Sequence, residues 1–238
     1  MDIEKYTSEH PHYWADYFYN PNLEIILTNN HFRKVIDVGC GDGALLYALE
    51  KKGFLEKFGE IWATDLSNNR FVEVKKISSK IKTIQDDAQT LQNIPEKYFD
   101  LVISTQVIEH VKDDQKMLGA LKRICKTGGI IFLETIIKKP YAWYFNRNSQ
   151  GEWVLDPTHE REYGLEGELF EKIKKVEHNI VCSIKRPLKF PLLDFFTRRI
   201  NLKNPELYEG NRLFRIMRKI KIPIFGYFEW SLVLGKMQ

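Results

Sequence analysis

The chain has 238 residues, 43% hydrophobic and 29% charged side chains and a formal net charge of +4, a globular balance with length enough for one sizeable α/β core. No apolar run approaches the ~18 residues of a membrane span, and the first twenty residues lack the basic start and apolar stretch of a secretory signal. Three cysteines, Cys40, Cys125 and Cys182, fall in or beside expected core elements and read as buried thiols of a reducing cytoplasm.

Residues 1–29 are rich in aromatics, among them Tyr6, Tyr13, Trp14, Tyr17 and Phe18, and are expected to form a helical lid or to cover a sheet edge. A buried strand follows at 34–38. It runs into the turn Gly39-Cys40-Gly41-Asp42-Gly43 and a helix from Ala44 that closes at Lys51, Lys52 and Gly53. A second strand is expected at 60–64. Ser67 is the predicted cap of a helix carrying Phe71, Val74, Ile77 and Ile81 at helical spacing. Strands at 82–85 and 101–104 come next. Asp113 or Asp114 then caps a helix with Met117, Leu118, Leu121 and Ile124 on one side, predicted to end at Gly128-Gly129 before a strand at 130–136. Strands and helices alternating at this length imply a mostly parallel sheet with right-handed crossovers. After residue 137 the rhythm breaks. An aromatic, irregular stretch covers 138–162, a helix 165–175, a strand about 176–183 and a last strand about 227–236.

The glycine turn is the chemically informative element. A strand, a glycine turn and a helix start present free N–H groups and a positive helix end to a ligand. Asp65, closing the next strand twenty-two positions beyond Gly43, suits a carboxylate that grips ribose hydroxyls. The turn also fits a dinucleotide fingerprint ending in Ala44. Asp37, two residues before the first glycine, decides between ligands: its charge would repel a pyrophosphate and attract a cation. S-adenosylmethionine (SAM), with a sulfonium, an ammonium and no phosphate, is such a ligand.

At these residues the chain resembles the class I SAM-dependent methyltransferases, especially the small-molecule branch that includes the ubiquinone-biosynthesis enzymes. Val35–Gly43 looks like that family's first motif and Thr64-Asp65-Leu66-Ser67 like its acidic ribose-binding loop. The stretch 85–91 is similar to its adenine-binding turn, and 98–111 to its fourth strand and the helix beyond. With 121–135 the resemblance covers about residues 30–137, in the family's order. It implies an α/β, Rossmann-like three-layer sandwich with a seven-stranded, mostly parallel sheet, its last strand antiparallel, and a helical cap insertion. The expected division is a lid at 1–29, a SAM-binding core at 30–184, a basic cap at 185–225 and a terminal core strand at 226–238.

The resemblance also assigns roles. Gly39, Cys40 and Gly41 would present backbone to the methionine part, and Asp37 would orient its ammonium. Asp65, with Leu66 beside it, would take the ribose hydroxyls. Asp87 and the Ala88 N–H would hold adenine, while Asp86 reads as a solvated loop acid. Thr105 and Gln106 would flank the sulfonium and the acceptor. The implied product is S-adenosylhomocysteine (SAH).

A hydroxyl or phenol acceptor must lose a proton, which histidine near neutral pH can take. His110, after Glu109, is one candidate, with a structural hydrogen bond as its alternative role. His159 in the 138–162 stretch is the other, with Arg161 and Tyr163 beside it as expected substrate contacts. The segment lacks the His-Glu-x-x-His spacing and His10-x-His12 has no third ligand nearby, so no metal is expected.

Residues 185–221 hold eleven basic and three acidic side chains, so the remainder of the chain is net acidic. The basic cap reads as a solvated face, a site for an anionic small substrate, or an interfacial element for an anionic membrane surface, with Leu213, Phe214, Ile216, Met217 and Ile220 between arginines. Nucleic acid is the remaining partner, but no RNA-binding module is recognisable. The expected protein is a cytoplasmic small-molecule methyltransferase. Its alternatives are a membrane-peripheral enzyme acting on a lipid or quinone and a non-catalytic SAM-binding scaffold, with a dinucleotide oxidoreductase more remote.

Overall fold

The computed structural model describes residues 20–144, 146–191, 212–218 and 220–236. The first nineteen residues of the expected lid and most of the expected cap lie outside them.

Elements follow in the order α1 (Pro21–Asn29), β1 (Lys34–Val38), α2 (Ala44–Lys51), β2 (Glu60–Asp65), α3 (Phe71–Ile77), β3 (Ile81–Gln85), β4 (Phe99–Thr105), α4 (Asp114–Ile124) and β5 (Cys125–Lys138). A small hairpin, β6 (Asn146–Arg147) and β7 (Trp153–Val154), precedes α5 (Glu166–Lys175), β8 (His178–Pro191), α6 (Arg212–Arg218) and β9 (Lys221–Lys236). The seven-stranded sheet has the order β3-β2-β1-β4-β5-β9-β8. β1 to β5 are parallel, and β9 runs antiparallel to both β5 and β8. The strand order reverses between β1 and β4, the switch point where open α/β sheets bind ligands.

Alternation of side chains sets the layers. Val35 packs with α1, α2 and α3 through Leu23, Leu27, Leu46, Leu49 and Val74, while Ile36 packs with α4 and α5 through Leu118, Leu121, Leu169 and Ile173. Ile36, Leu46, Val102 and Phe132 are wholly buried, each contributing about 1.5–3 kcal/mol of burial. Asp100 ties the lower edge together: Oδ2 accepts from the Arg33 and Lys34 N–H groups, and Lys126 Nζ reaches Oδ1 at 2.6 Å.

The local boundaries differ from expectation in four places. Asp113 does cap α4, accepting from Lys116 N–H at 2.9 Å, but the helix ends at Ile124. Gly128 and Gly129 instead form an irregularity inside β5, where the pairing with β4 slips between Phe99 and Leu101. Gly129 is required there, because a β-carbon would stand 2.8 Å from Cys125 Sγ. Ser67 makes no side-chain cap and precedes a single 3-10 turn before α3, and Ile81 opens β3. Finally, β8 and β9 pair as far as Pro191 and Lys221, so Lys185, Arg186 and Lys189 stand on a long hairpin arm, and the connection the strands leave is 192–220. Among the described residues no helix is long and apolar enough to cross a membrane.

Candidate functional site

The C-terminal ends of β1, β2 and β4 converge around the glycine turn. Gly39, Gly41 and Gly43 have φ of 76°, 54° and 85°, left-handed values that glycine adopts without a Cβ penalty. The Gly39 and Cys40 N–H groups donate to Thr64 O at 2.8 and 2.9 Å, and the Gly41 N–H donates to Asp65 Oδ2 at 2.9 Å. The Ser67 N–H takes Asp65 Oδ1 at 3.0 Å. Asp65 is thereby fixed with one backbone donor on each oxygen and lone pairs to spare. Leu66 beside it is exposed.

Asp37 lies beneath this turn, 2% exposed. Its Oδ2 is buried without a hydrogen-bond partner among the described residues. Burial, with a smaller push from the Asp65 charge, raises its carboxyl to about 7. A buried carboxylate oxygen with no donor is costly, and a cation beside it would relieve that cost. The same burial, with the Asp37 and Asp65 charges, pushes the Cys40 thiol well up, so Cys40 contributes backbone and packing.

Beyond β2, the 85–93 turn is held by Asp86, whose carboxylate accepts from the N–H groups of Asp87, Gln92 and Asn93. That is a structural role, tighter than the solvated acid expected. Asp87 accepts from Gln89 N–H at 2.8 Å, and Ala88 is buried against the core. At the end of β4, Gln106 takes φ of 57°, an uncommon and strained value for a residue with a side chain. Its N–H donates to Glu134 O at 2.9 Å, and Val107 beside it packs on Gly39.

Glu134 was not singled out from the sequence. It is a carboxyl inside the apolar run of β5, raised to about 7 by burial first and the Glu229 charge second. Asn20 Nδ2 donates to its Oε2 and to Ser231 Oγ, each at 2.5 Å. A lone glutamate among six apolar neighbours is the signal that marks it.

His110 and His159 come together although 49 positions separate them: their ring centroids are 4.7 Å apart. Thr158 Oγ1 donates to Asp156 Oδ1 at 2.6 Å and so receives the His110 Nδ1 proton at 2.9 Å, leaving Nε2 as acceptor. Burial holds His110 below the usual imidazole range. His159 Nδ1 donates to Glu162 Oε1 at 2.8 Å. Burial opposes its charge, but the Glu162 bond and the Glu109 and Asp156 charges outweigh this and raise it. Glu109 is wholly buried, with Oε2 accepting from Thr135 Oγ1 at 2.9 Å. Glu109, His110 and His159 each offer a ligand atom within 4.8 Å of the other two.

Arg161 and Tyr163, expected at the substrate, spend their polar groups inside the protein. Arg161 donates to the carbonyls of Ile108, Val111 and Lys112. Tyr163 is 1% exposed and its hydroxyl donates to Asp114 Oδ2 at 2.9 Å. Both hold the 108–114 segment.

Residues 36–133 match the family described as Methyltransferase domain. This stretch contains the glycine turn, Asp65, the 85–93 turn and the Glu109-His110 pair. Over this stretch the chain is similar to methyltransferase domains. The chain is 30% identical over 153 residues to a ubiquinone biosynthesis O-methyltransferase of Methylococcus capsulatus, covering 60% of this chain and 64% of that one. It is 31% identical over 114 residues to the protein of that name from Pseudomonas fluorescens, covering 48% of each. The chain thus spans less than two thirds of either relative. Solved structures show the same fold across most of the chain. A SAM-dependent methyltransferase from Archaeoglobus fulgidus superposes with a TM-score of 0.56 at 19% identity, covering 91% of this chain and 92% of that one. The cyclase SpnF superposes with 0.61 at 15% identity, covering 90% and 80%. A cyclase on the same scaffold means the activity must be argued from the site.

Proposed function

We propose that the chain moves a methyl group from SAM to an oxygen or nitrogen of a small-molecule acceptor. The observation that carries this is the buried, unpartnered Asp37 Oδ2 under a left-handed glycine turn. A pyrophosphate would meet that carboxylate with repulsion, whereas an ammonium relieves it. When bound, SAM supplies an electrophilic methyl on a positively charged sulfur that leaves as the neutral thioether of SAH.

The protein's share is binding, alignment and exclusion of water. Asp37 receives the ammonium, the backbone of Gly39, Cys40 and Gly41 cradles the methionine part, and Asp65 accepts from the ribose hydroxyls beside Leu66. Asp87 and the Ala88 N–H bracket adenine. Thr105 and the strained Gln106 set the line along which the acceptor approaches. Such positioning supplies roughly 7–11 kcal/mol of barrier lowering. His110 Nε2, neutral and unprotonated, accepts the acceptor's proton, with His159 at its side. Relatives named for O-methylation favour oxygen as the acceptor atom.

Calorimetry with SAH tests the donor: the expected result is one SAH bound per chain, with NADH not bound. NADH binding with SAH excluded would overturn the reading. A screen of acceptors with labelled SAM, repeated with His110→Ala, tests proton removal, and unchanged turnover in that variant at saturating donor would remove His110 from the mechanism.

A second reading places the acceptor in a membrane. Leu213, Ile216 and Met217 on α6, Ile220 after it and Phe225 on β9 expose large apolar side chains, in a segment rich in basic residues, the composition of an interfacial element on anionic lipid. Flotation with anionic but not neutral vesicles supports it, and flotation with neither overturns it.

A further inference from the structure

Glu109, His110 and His159 form a set whose free and committed atoms divide cleanly. Thr135 Oγ1 holds Glu109 Oε2, Thr158 Oγ1 holds His110 Nδ1, and Glu162 Oε1 holds His159 Nδ1. The atoms left over are Glu109 Oε1, His110 Nε2 and His159 Nε2. Glu109 Oε1 is buried and has no hydrogen-bond partner among the described residues, a cost of about 1–3 kcal/mol or more for a charged group if nothing meets it. The 138–162 stretch is pinned where this happens, because the Glu160 and Arg161 N–H groups both donate to Glu109 O, at 2.9 and 3.3 Å.

We propose that these three side chains hold a divalent cation of the zinc class, with a fourth position open. Two imidazoles and one carboxylate are a donor set of catalytic zinc sites, which keep one position for water or substrate. Hard cations such as magnesium prefer all-oxygen surroundings, so the two imidazoles select against them. Each ligand is oriented through its other polar atom: Glu162 on His159, Thr158 backed by Asp156 on His110, and Thr135 on Glu109. Outer partners of this kind fix tautomer and ring direction in metal sites. Three carboxylates, Glu109, Asp156 and Glu162, surround two imidazoles with charge that a dication offsets. The expectation of no metal rested on the missing His-Glu-x-x-His spacing and on the lack of a third ligand near His10 and His12. The fold instead brings His159 from a distant loop to Glu109 and His110.

The role assigned to the cation rests on the methyl-transfer reading; its binding does not. At the open position an acceptor hydroxyl coordinates through oxygen and loses its proton to solvent as the cation lowers its pKa. The new C–O bond then forms as the S–CH3 bond breaks, and the sulfur leaves as a neutral thioether. The cation would take over the proton-removing task otherwise given to His110 Nε2.

The test uses the full chain stripped with chelator, loaded with zinc or cobalt(II) and freed of excess by gel filtration. The expected result is one metal per chain and the visible absorption bands of four- or five-coordinate cobalt. His159→Ala should lose retained metal, and Glu162→Gln, whose amide oxygen can still accept from the Leu155 N–H, should weaken binding about 10- to 100-fold, both with SAH affinity and circular dichroism unchanged. A stripped wild-type chain that binds SAH yet retains neither zinc nor cobalt overturns the proposal. So does a folded His159→Ala that holds metal as tightly as the wild type. Retained cobalt without SAH binding would sink the methyl-transfer reading and leave the cation site standing.

Discussion

Val107 closes over Gly39: a β-carbon on Gly39 would stand 2.4 Å from Val107 Cγ2, in a backbone conformation with φ of 76°. The turn after β1 and the turn after β4 therefore fit only through the missing side chain. Gly39→Ala is expected to cost about 1–3 kcal/mol of stability and to abolish SAH binding by displacing the turn. Adding Val107→Ala should recover part of the stability, because it removes the clash but not the φ penalty. Denaturant midpoints and calorimetry of the single and double variants check both statements. Equal stability of the two would show that the clash contributes nothing.

Asp37 makes donor binding pH-dependent with a definite sign. In the free protein burial raises its carboxyl from 3.8 to about 7, whereas an ammonium beside it favours the ionised form, so binding below about 7 expels a proton. SAH affinity should weaken by up to roughly tenfold per pH unit as pH falls below that point, and level off above it. Asp37→Asn should bind weakly with little pH dependence over the same range. Calorimetry in buffers of different ionisation heat also counts the released proton directly. No proton release from the wild type at pH 6 would remove Asp37 from contact with the ammonium.

The parallel half of the fold was legible in the sequence because local signals there agree with the tertiary result. Val35, Ile36 and Val38, the three glycines and Asp65 each carry their meaning within a few residues. The misread places are those where distant neighbours decide. Gly128 and Gly129 look like a helix stop, but Cys125 begins pairing with Phe99 across the sheet. Arg161 and Tyr163 look like substrate contacts in an irregular loop, yet carbonyls fifty positions away and Asp114 claim them. His159 meeting His110, and Asn20 meeting Glu134, have no local signal at all.

The Arg161–Asp114–Tyr163 cluster is expected to act on stability rather than on acceptor binding. Asp114 Oδ2 accepts from Tyr163 and Lys172 Nζ at 2.9 and 2.6 Å, with Arg161 Nε at 3.6 Å. Tyr163→Phe should cost about 1–3 kcal/mol, since it removes a donor from a buried carboxylate. Acceptor KM should stay within about twofold, as the hydroxyl faces the scaffold. Once an acceptor is in hand, a large KM increase without loss of thermal stability would return Tyr163 to the substrate pocket.

Glu134 supplies the second pH signature, one of stability. Burial first, and the Glu229 charge second, raise its carboxyl from 4.5 to about 7. Between those values the folded chain binds more protons than the unfolded one, so stability falls as pH rises through this window and levels off above about 7. Glu134→Gln keeps the carbonyl that can accept from Asn20 and Ser231 but has no charge to bury. Relative to wild type, the variant should therefore gain as pH rises from 4.5 to 7, by at most about 3 kcal/mol at the plateau. At pH 4.5, where Glu134 is already protonated in the folded state, the two chains should differ by no more than about 1 kcal/mol. Urea unfolding at several pH values measures the difference, and a constant gap between the two chains across that range would mean that Glu134 remains ionised in the fold.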